Sequence, residues 1–371
     1  MLRCKLSIAN VRSLSQVQNS GSSQVYSVKR KRGDWVLIAP VQKLDLTAFV
    51  NLEFTVDRVT FIEASALARR RKKFGLPNRL SELEAIPHGA FKNFFAASKT
   101  FAILRQKGVY EDCEQKFLDL VHEELAILAM SQIGYLRRRI SGCPTILMRH
   151  SPGALTHLAI DAATGAWTRP GVAVGPLGRL VLDEQWVKFA KRGFFEQLLH
   201  IITKKVKVQR KWRLTLRNAA ILVGQSRCAL DPVQGFLWNM IALEMLLSER
   251  SGGLKKLLPE RAEALLGAST AWRSERYATR IGELYKKRNL LVHEGQRNKI
   301  TDDDLVFSDE LLFQLFTNIV KHADMFPSKQ ALIQFSEDVK AAKRLGGRRR
   351  VRPKGMGIHW PPGSISSLKR N

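Results

Sequence analysis

The chain is 371 residues long, 45% hydrophobic and 25% charged, which supplies core material for two domains of ordinary size and excludes a low-complexity polymer. It contains no run of about 18 apolar residues, so a membrane-spanning helix is not expected. The formal net charge of +28 suits a polyanion as partner, nucleic acid above all.

That charge is uneven. Residues 1–33 hold seven Lys/Arg and residues 343–371 hold nine, both without an acid, whereas residues 212–342 set 18 bases against 16 acids. The opening 33 residues faintly resemble a transit peptide but lack the apolar block of a secretory signal, and they are expected to form a flexible basic arm. Residues 34–205 predict an α+β domain of unknown specificity. Within it, "DWVLIAPVQKLDL" and "LEFTVDRVTFIEA" have the β-branched content of strands. Residues 90–139 carry apolar residues at helical spacing. "LTHLAIDAATGAWTRPG" predicts a hairpin, and "LDEQWVKFAKRGFFEQLLHIITKK" a helical stretch broken near Gly193.

Residues 212–340 predict an all-α bundle. "LTLRNAAILVGQSR" is a first helix. Asp231 followed by Pro232 marks the start of a second, a capping side chain before a proline whose missing N–H costs nothing at that position. "LKKLLPERAEALLG" is a third. A fourth runs from a Ser274 cap to a Gly295 stop, a fifth begins at the three aspartates Asp302–Asp304, and "SKQALIQFSEDVKAAKR" is a sixth. Residues 343–371, with "GGRRRVRPKGMGIHWPPGS", cannot bury enough to order themselves and predict a basic disordered tail.

Cys4, Cys113, Cys143 and Cys228 show no paired spacing, so neither a disulfide framework nor a zinc site is expected, and no metal or cofactor is assigned. The stretch "KKVKVQRKWR" places Lys204, Lys205, Lys207, Arg210, Lys211 and Arg213 around Trp212, a candidate phosphate-tracking surface with one stacking ring or, equally, a solvated linker.

The candidate catalytic group lies at "YKKRNLLVHEG". Spacing alone is no argument, because a chain so rich in arginine holds an Arg-x4-His pair by chance, and Arg352 and His359 form a looser one in the tail. Context adds weight. Arg288 follows Leu284 by four residues near the apolar stripe of Tyr277, Ile281, Leu284 and Leu291 or Val292, while Asn289 and His293 stack one turn apart on the neighbouring face. An arginine, an amide and an imidazole at one helix end can converge on a phosphate. Alternatively His293 caps the last turn and Arg288 pairs with a carboxylate; Glu244, alone on an apolar helix, is the expected partner.

The string Tyr285, Arg288, Asn289, Val292, His293, Gly295, preceded by the helix bearing Trp238, Leu243 and Glu244, resembles HEPN domains, specifically the Apea-like HEPN family, over about residues 212–340. The resemblance implies metal-independent RNA cleavage at Arg288 and His293, completed across a homodimer, in a defence, toxin or stress effector. His293 would act on the RNA 2′-hydroxyl or the leaving oxygen, Arg288 on the scissile phosphate, and Asn289 on orientation, with Glu244 and Tyr285 in support. The HEPN toxins silenced by nucleotide transfer carry a tyrosine where this chain has Gly295, so silencing at that position is not expected. A cytoplasmic protein with RNA as partner and no membrane is the reading that follows; a non-catalytic nucleic-acid-binding scaffold is its rival.

Overall fold

The computed structural model describes residues 32–76, 98–136, 138, 141–146, 155–160, 167–172, 178–249, 253–267, 269–345 and 352–359. The expected basic arm, apart from its last two residues, lies outside them. Strand β1 (Arg32–Gln42) pairs antiparallel with β5 (Thr100–Val109) along ten positions, from Arg32 opposite Val109 to Val41 opposite Thr100. With β3 (Glu53–Thr55), β4 (Thr60–Glu63) and β6 (Thr145–Ile146) they form an antiparallel sheet of order β3-β4-β5-β1-β6. A lone left-handed residue, Lys43, separates β1 from β2 (Leu44–Leu46), which leaves the sheet to pair in parallel with β9 (Leu180–Leu182). The hairpin of β7 (Leu155–Ile160) and β8 (Trp167–Val172) is as expected.

One expectation fails here. "TFAIL" (100–104), read as part of a helix, is the start of β5, and residues 90–97 lie outside the described set. The cause is burial on both faces. Ile62, Phe101 and Ile103 pack beneath α1 (Ala64–Arg70), while Phe61 and Ala102 face the main core. A strand buried on both sides has a continuous apolar run and no alternation, which periodicity cannot tell from a buried helix.

Helix α2 (Tyr110–Met130) crosses the sheet's main-core face and carries Glu124, fully buried, whose carboxylate accepts from the backbone N–H groups of Asp57, Arg58 and Val59 at 2.9–3.2 Å. Helices α3 (Glu184–Arg192) and α4 (Phe195–Ile202) follow, with Gly193 at the expected break. Then come α5 (Arg210–Cys228), α6 (Pro232–Leu247), α7 (Leu254–Leu266), the short α8 (Thr270–Ser274), α9 (Tyr277–Glu294), α10 (Asp302–Lys321) and α11 (Lys329–Arg344). The Asp231–Pro232 start is present, Asp231 accepting from the Val233 N–H at 3.0 Å. Thr301 and Asp304 cap α10 reciprocally. Ser274, by contrast, closes α8 and does not cap α9; the left-handed Arg276 precedes that helix, because α8 uses the intervening residues for a turn of its own.

The expected boundary at 205–212 is no break in the core. One apolar cluster runs from Ala39 on β1 to Met356 near the C-terminus. Helices α2 and α5 touch at Gly224, where an added Cβ would lie 1.7 Å from the Ala126 carbonyl oxygen, so only glycine permits this approach. A buried ionic network also crosses the junction. Asp309 of α10 receives Arg138 (Nη2–Oδ1 2.7 Å, Nε–Oδ2 3.1 Å), Arg227 of α5 (Nη1–Oδ2 3.0 Å) and Asn239 of α6 (2.8 Å). Arg138 also donates to the Ser226 hydroxyl, and Arg227 to the Leu136 carbonyl.

The basic tail is ordered in part. Residues 352–359 are seated on the bundle, with Arg352 donating to the last-turn carbonyls of α7 at Ala264 (2.6 Å) and Glu263 (2.8 Å). The Asn318 amide exchanges two hydrogen bonds with the Gly357 backbone, and Met356 is buried. Composition misled because much of the seating comes from hydrogen bonds, those of α10 side chains to tail backbone and of Arg352 to α7 carbonyls, which apolar content does not register. Among the described residues no helix is long and apolar enough to cross a membrane.

Candidate functional site

Helix α9 is fixed in rotation by its buried stripe. Tyr277, Ile281 and Leu284 are 1–2% exposed, and Tyr277 stacks on Trp272 at 5.3 Å between ring centroids. Leu291, half-buried against the core, continues the stripe, and Val292 is left 50% exposed. This phase puts Tyr285, Arg288 and Asn289 on the half-buried shoulder of the helix and turns His293 out to solvent. Gly295, left-handed at φ 68°, stops the helix and donates to the Leu291 carbonyl, as the sequence predicts.

Arg288 is held on two sides. Its Nε lies 3.3 Å from Glu244 Oε1, an ion pair outside hydrogen-bond geometry, and its Nη2 donates to Oε2 at 3.4 Å. Its Nη1 donates to the side-chain amide oxygen Oδ1 of Asn289 at 3.2 Å. The expected Glu244–Arg288 pairing is therefore present. Burial pushes the Glu244 carboxyl up from its ordinary value and the Arg288 charge pulls it back down. Tyr285 packs against the core and has no hydrogen-bonded partner among the described residues, so its contribution is to position the helix. The structure thus brings Arg288, Asn289 and Glu244 into contact. His293 is one turn beyond Asn289, exposed, with no partner among the described residues.

Neighbouring ion pairs set the frame. Arg297, just past the end of α9, reaches Asp231 at the start of α6 (2.6 Å), so the two helices run antiparallel. Ile241, one turn before Glu244, and Val292, one turn after Arg288, then extend from the pair in the same direction, and both are exposed. Lys287 pairs with Asp304 of α10 at 2.7 Å.

The basic stretch divides differently from expectation. Lys204, Lys205, Lys207, Arg210 and Lys211 are exposed and Arg213 half-buried, and none has a carboxylate partner among the described residues. Trp212, the proposed stacking ring, is 2% exposed in the core and cannot stack on a base, because α5 begins four residues earlier than predicted and rotates the indole inward. Arg352 and His359 also resolve as structural: the first caps α7 and the second exchanges backbone hydrogen bonds with the Gln314 amide. Among the described residues no group of three His, Cys, Asp or Glu side chains is arranged to hold a metal ion.

Sequence reading missed the acids that matter most inside the fold, Glu124 and Asp309. Asp309 did leave a trace, an acid inside the apolar run "LVFSDELLFQLF" where a core-facing position is unavoidable. Compared with known proteins, the chain matches no family model, no curated protein and no solved structure.

Proposed function

We propose that the chain is a metal-independent endoribonuclease of the HEPN type, with Arg288 and His293 as the catalytic pair, cleaving RNA by attack of its own 2′-hydroxyl. The observation that carries the reading is the setting of Arg288: anchored by Glu244 behind and Asn289 beside it, and followed one turn on by an exposed imidazole. A guanidinium held in a fixed pose is suited to a phosphate whose charge grows in the transition state. An exposed histidine is free to exchange protons with water and substrate. Asn289 orients the guanidinium. DNA lacks the 2′-hydroxyl, so the reaction is specific to RNA. The unpaired cations from Lys204 to Lys211, with the basic termini, supply the field that gathers the polyanion. Exposed Val292 and Ile241 beside the pair give a second copy an apolar surface to cover, so a homodimer with two facing sites belongs to the reading. A defence or stress role is what the resemblance to HEPN domains implies, and the scattered, unpaired cysteines suit a cytoplasmic setting.

The rival reading, an RNA-binding scaffold, draws on the same ion pair, since Glu244 already neutralises Arg288. The discriminating experiment incubates the full chain with total RNA in excess EDTA, beside His293→Ala and Arg288→Ala. Cleavage by the parent protein that both variants lose, by about 100-fold or more, is expected. Intact RNA with tight, salt-sensitive binding would move the assignment to the scaffold.

A further inference from the structure

Cys143 and Cys228 are 85 residues apart in sequence, and no spacing rule connects them. Folding brings them together. Cys143 lies in the short segment between α2 and β6, Cys228 is the last residue of α5, and the Cys143 sulfur sits 3.8 Å from the Cys228 carbonyl oxygen. The Cys143 thiol thus points at the helix end that carries Cys228, and both residues are half-buried. Neither is in a disulfide.

Their surroundings differ in a useful way. The hydrogen bond from Cys228, with the positive charge of Lys43 nearby, holds the Cys143 thiol below its ordinary range. The same hydrogen bond and the loss of solvent around a half-buried thiol raise Cys228 well above its ordinary range, although Arg227 and Arg138 pull the other way. The pair therefore divides its labour: one sulfur that ionises, one that stays a thiol beside it. Cys113, buried on α2, has no such neighbour among the described residues.

We propose that Cys143 and Cys228 are a hydroperoxide-reactive pair that closes to an intramolecular disulfide, Cys143 acting as the nucleophile and Cys228 as the resolving thiol. The Cys143 thiolate attacks one oxygen of the peroxide; an S–O bond forms, the O–O bond breaks, and the departing hydroxide takes a proton to become water. Cys143 is now a sulfenic acid, oxidised by two electrons. The Cys228 sulfur attacks it, an S–S bond forms, the S–O bond breaks, and a second water leaves with the Cys228 proton. Two thiols and one peroxide yield one disulfide and two waters, and a dithiol reductant reverses the change. The bond would tie the segment after α2 to the end of α5 beside the Arg138–Asp309–Arg227 network. None of this depends on the nuclease reading.

The test uses the full chain. It is treated with hydrogen peroxide at small molar excess, blocked with N-ethylmaleimide, digested and read by mass spectrometry. The expected result is a Cys143–Cys228 cross-linked peptide, lost on adding dithiothreitol, from protein that still runs as a single chain on a non-reducing gel. In Cys228→Ser the sulfenic acid has no resolving thiol, so dimedone should label Cys143 in preference to Cys4 and Cys113. In Cys143→Ser, Cys228 should remain a thiol throughout. A cross-link through Cys4 or Cys113, an intermolecular disulfide, or a Cys143 that stays fully alkylatable after peroxide would each overturn the proposal. Cys143→Ser and Cys228→Ser melting profiles under reducing conditions confirm that the variants compared are folded.

Discussion

Asp309 and Glu124 are both carboxyl groups buried in the interior, yet their acidities shift in opposite directions. Asp309 meets two guanidinium groups; against the pull of burial, Arg138 and Arg227 hold its carboxyl below the ordinary range. Among the described residues Glu124 accepts hydrogen bonds from backbone N–H groups alone; burial, aided by the Asp57 charge, outweighs them and pushes it up to about 7. Hydrogen-bond number does not decide the matter, since both acids are well supplied; the presence of a cation does. Glu244 is the intermediate case, half-buried with one arginine, and its carboxyl is raised.

Removing the charge from Asp309 breaks the comparison most severely. Asp309→Asn keeps the shape but leaves Arg227, 3% exposed, and Arg138 without a counter-charge. We expect a loss of about 3–5 kcal/mol in urea unfolding at neutral pH. A loss below about 1 kcal/mol would mean that water reaches these arginines and the junction is not sealed.

The two acids also predict opposite pH dependences. The Asp309 value is depressed in the folded state, so its contribution is present above the unfolded value of 3.8 and is lost as pH falls through the folded one. The Glu124 value is raised, so its contribution is complete below 4.5 and is lost as pH rises through about 7. Across that window the parent protein should lose up to about 3 kcal/mol relative to Glu124→Gln, read as the difference of their unfolding free energies at pH 4.5 and 7.5. A difference that does not change with pH would show that Glu124 is ionised throughout.

The smallest effect on stability is expected at the candidate site. Glu244→Gln removes one half of a pair whose side chains remain 17–22% exposed, and should cost about 1 kcal/mol or less by thermal unfolding. RNA cleavage should fall more, by about 10-fold, because Arg288 loses its anchor. Equal, small changes in both readouts would make the pair structural.

How much of this was legible beforehand follows from the range of each signal. Asp231–Pro232, Gly295 and the aspartates at 302–304 are local devices, and each sits where its chemistry requires. The α9 stripe, and with it the placing of Arg288 against Glu244, needed only helical periodicity and one odd acid on an apolar helix. What failed was non-local. "TFAIL" depends on what covers each face of β5, and the inward turn of Trp212 depends on where α5 begins. The approach of Cys143 to Cys228 and the seating of 352–359 depend on elements far away in the chain. The sheet and the helices that follow it were foreseen in kind; the core they share was not.

The contact between Gly224 and Ala126 also has a meaning in time. On the ribosome, Ala126 and the apolar face of α2 emerge 98 residues before the glycine that completes their packing. At ordinary elongation speeds of about 5–20 residues per second, that face waits about 5–20 s for its partner. The nascent sheet and α2 are therefore a natural client for holding chaperones, and a chain cut short before α5 would expose for good the surface that full-length synthesis leaves open only for seconds.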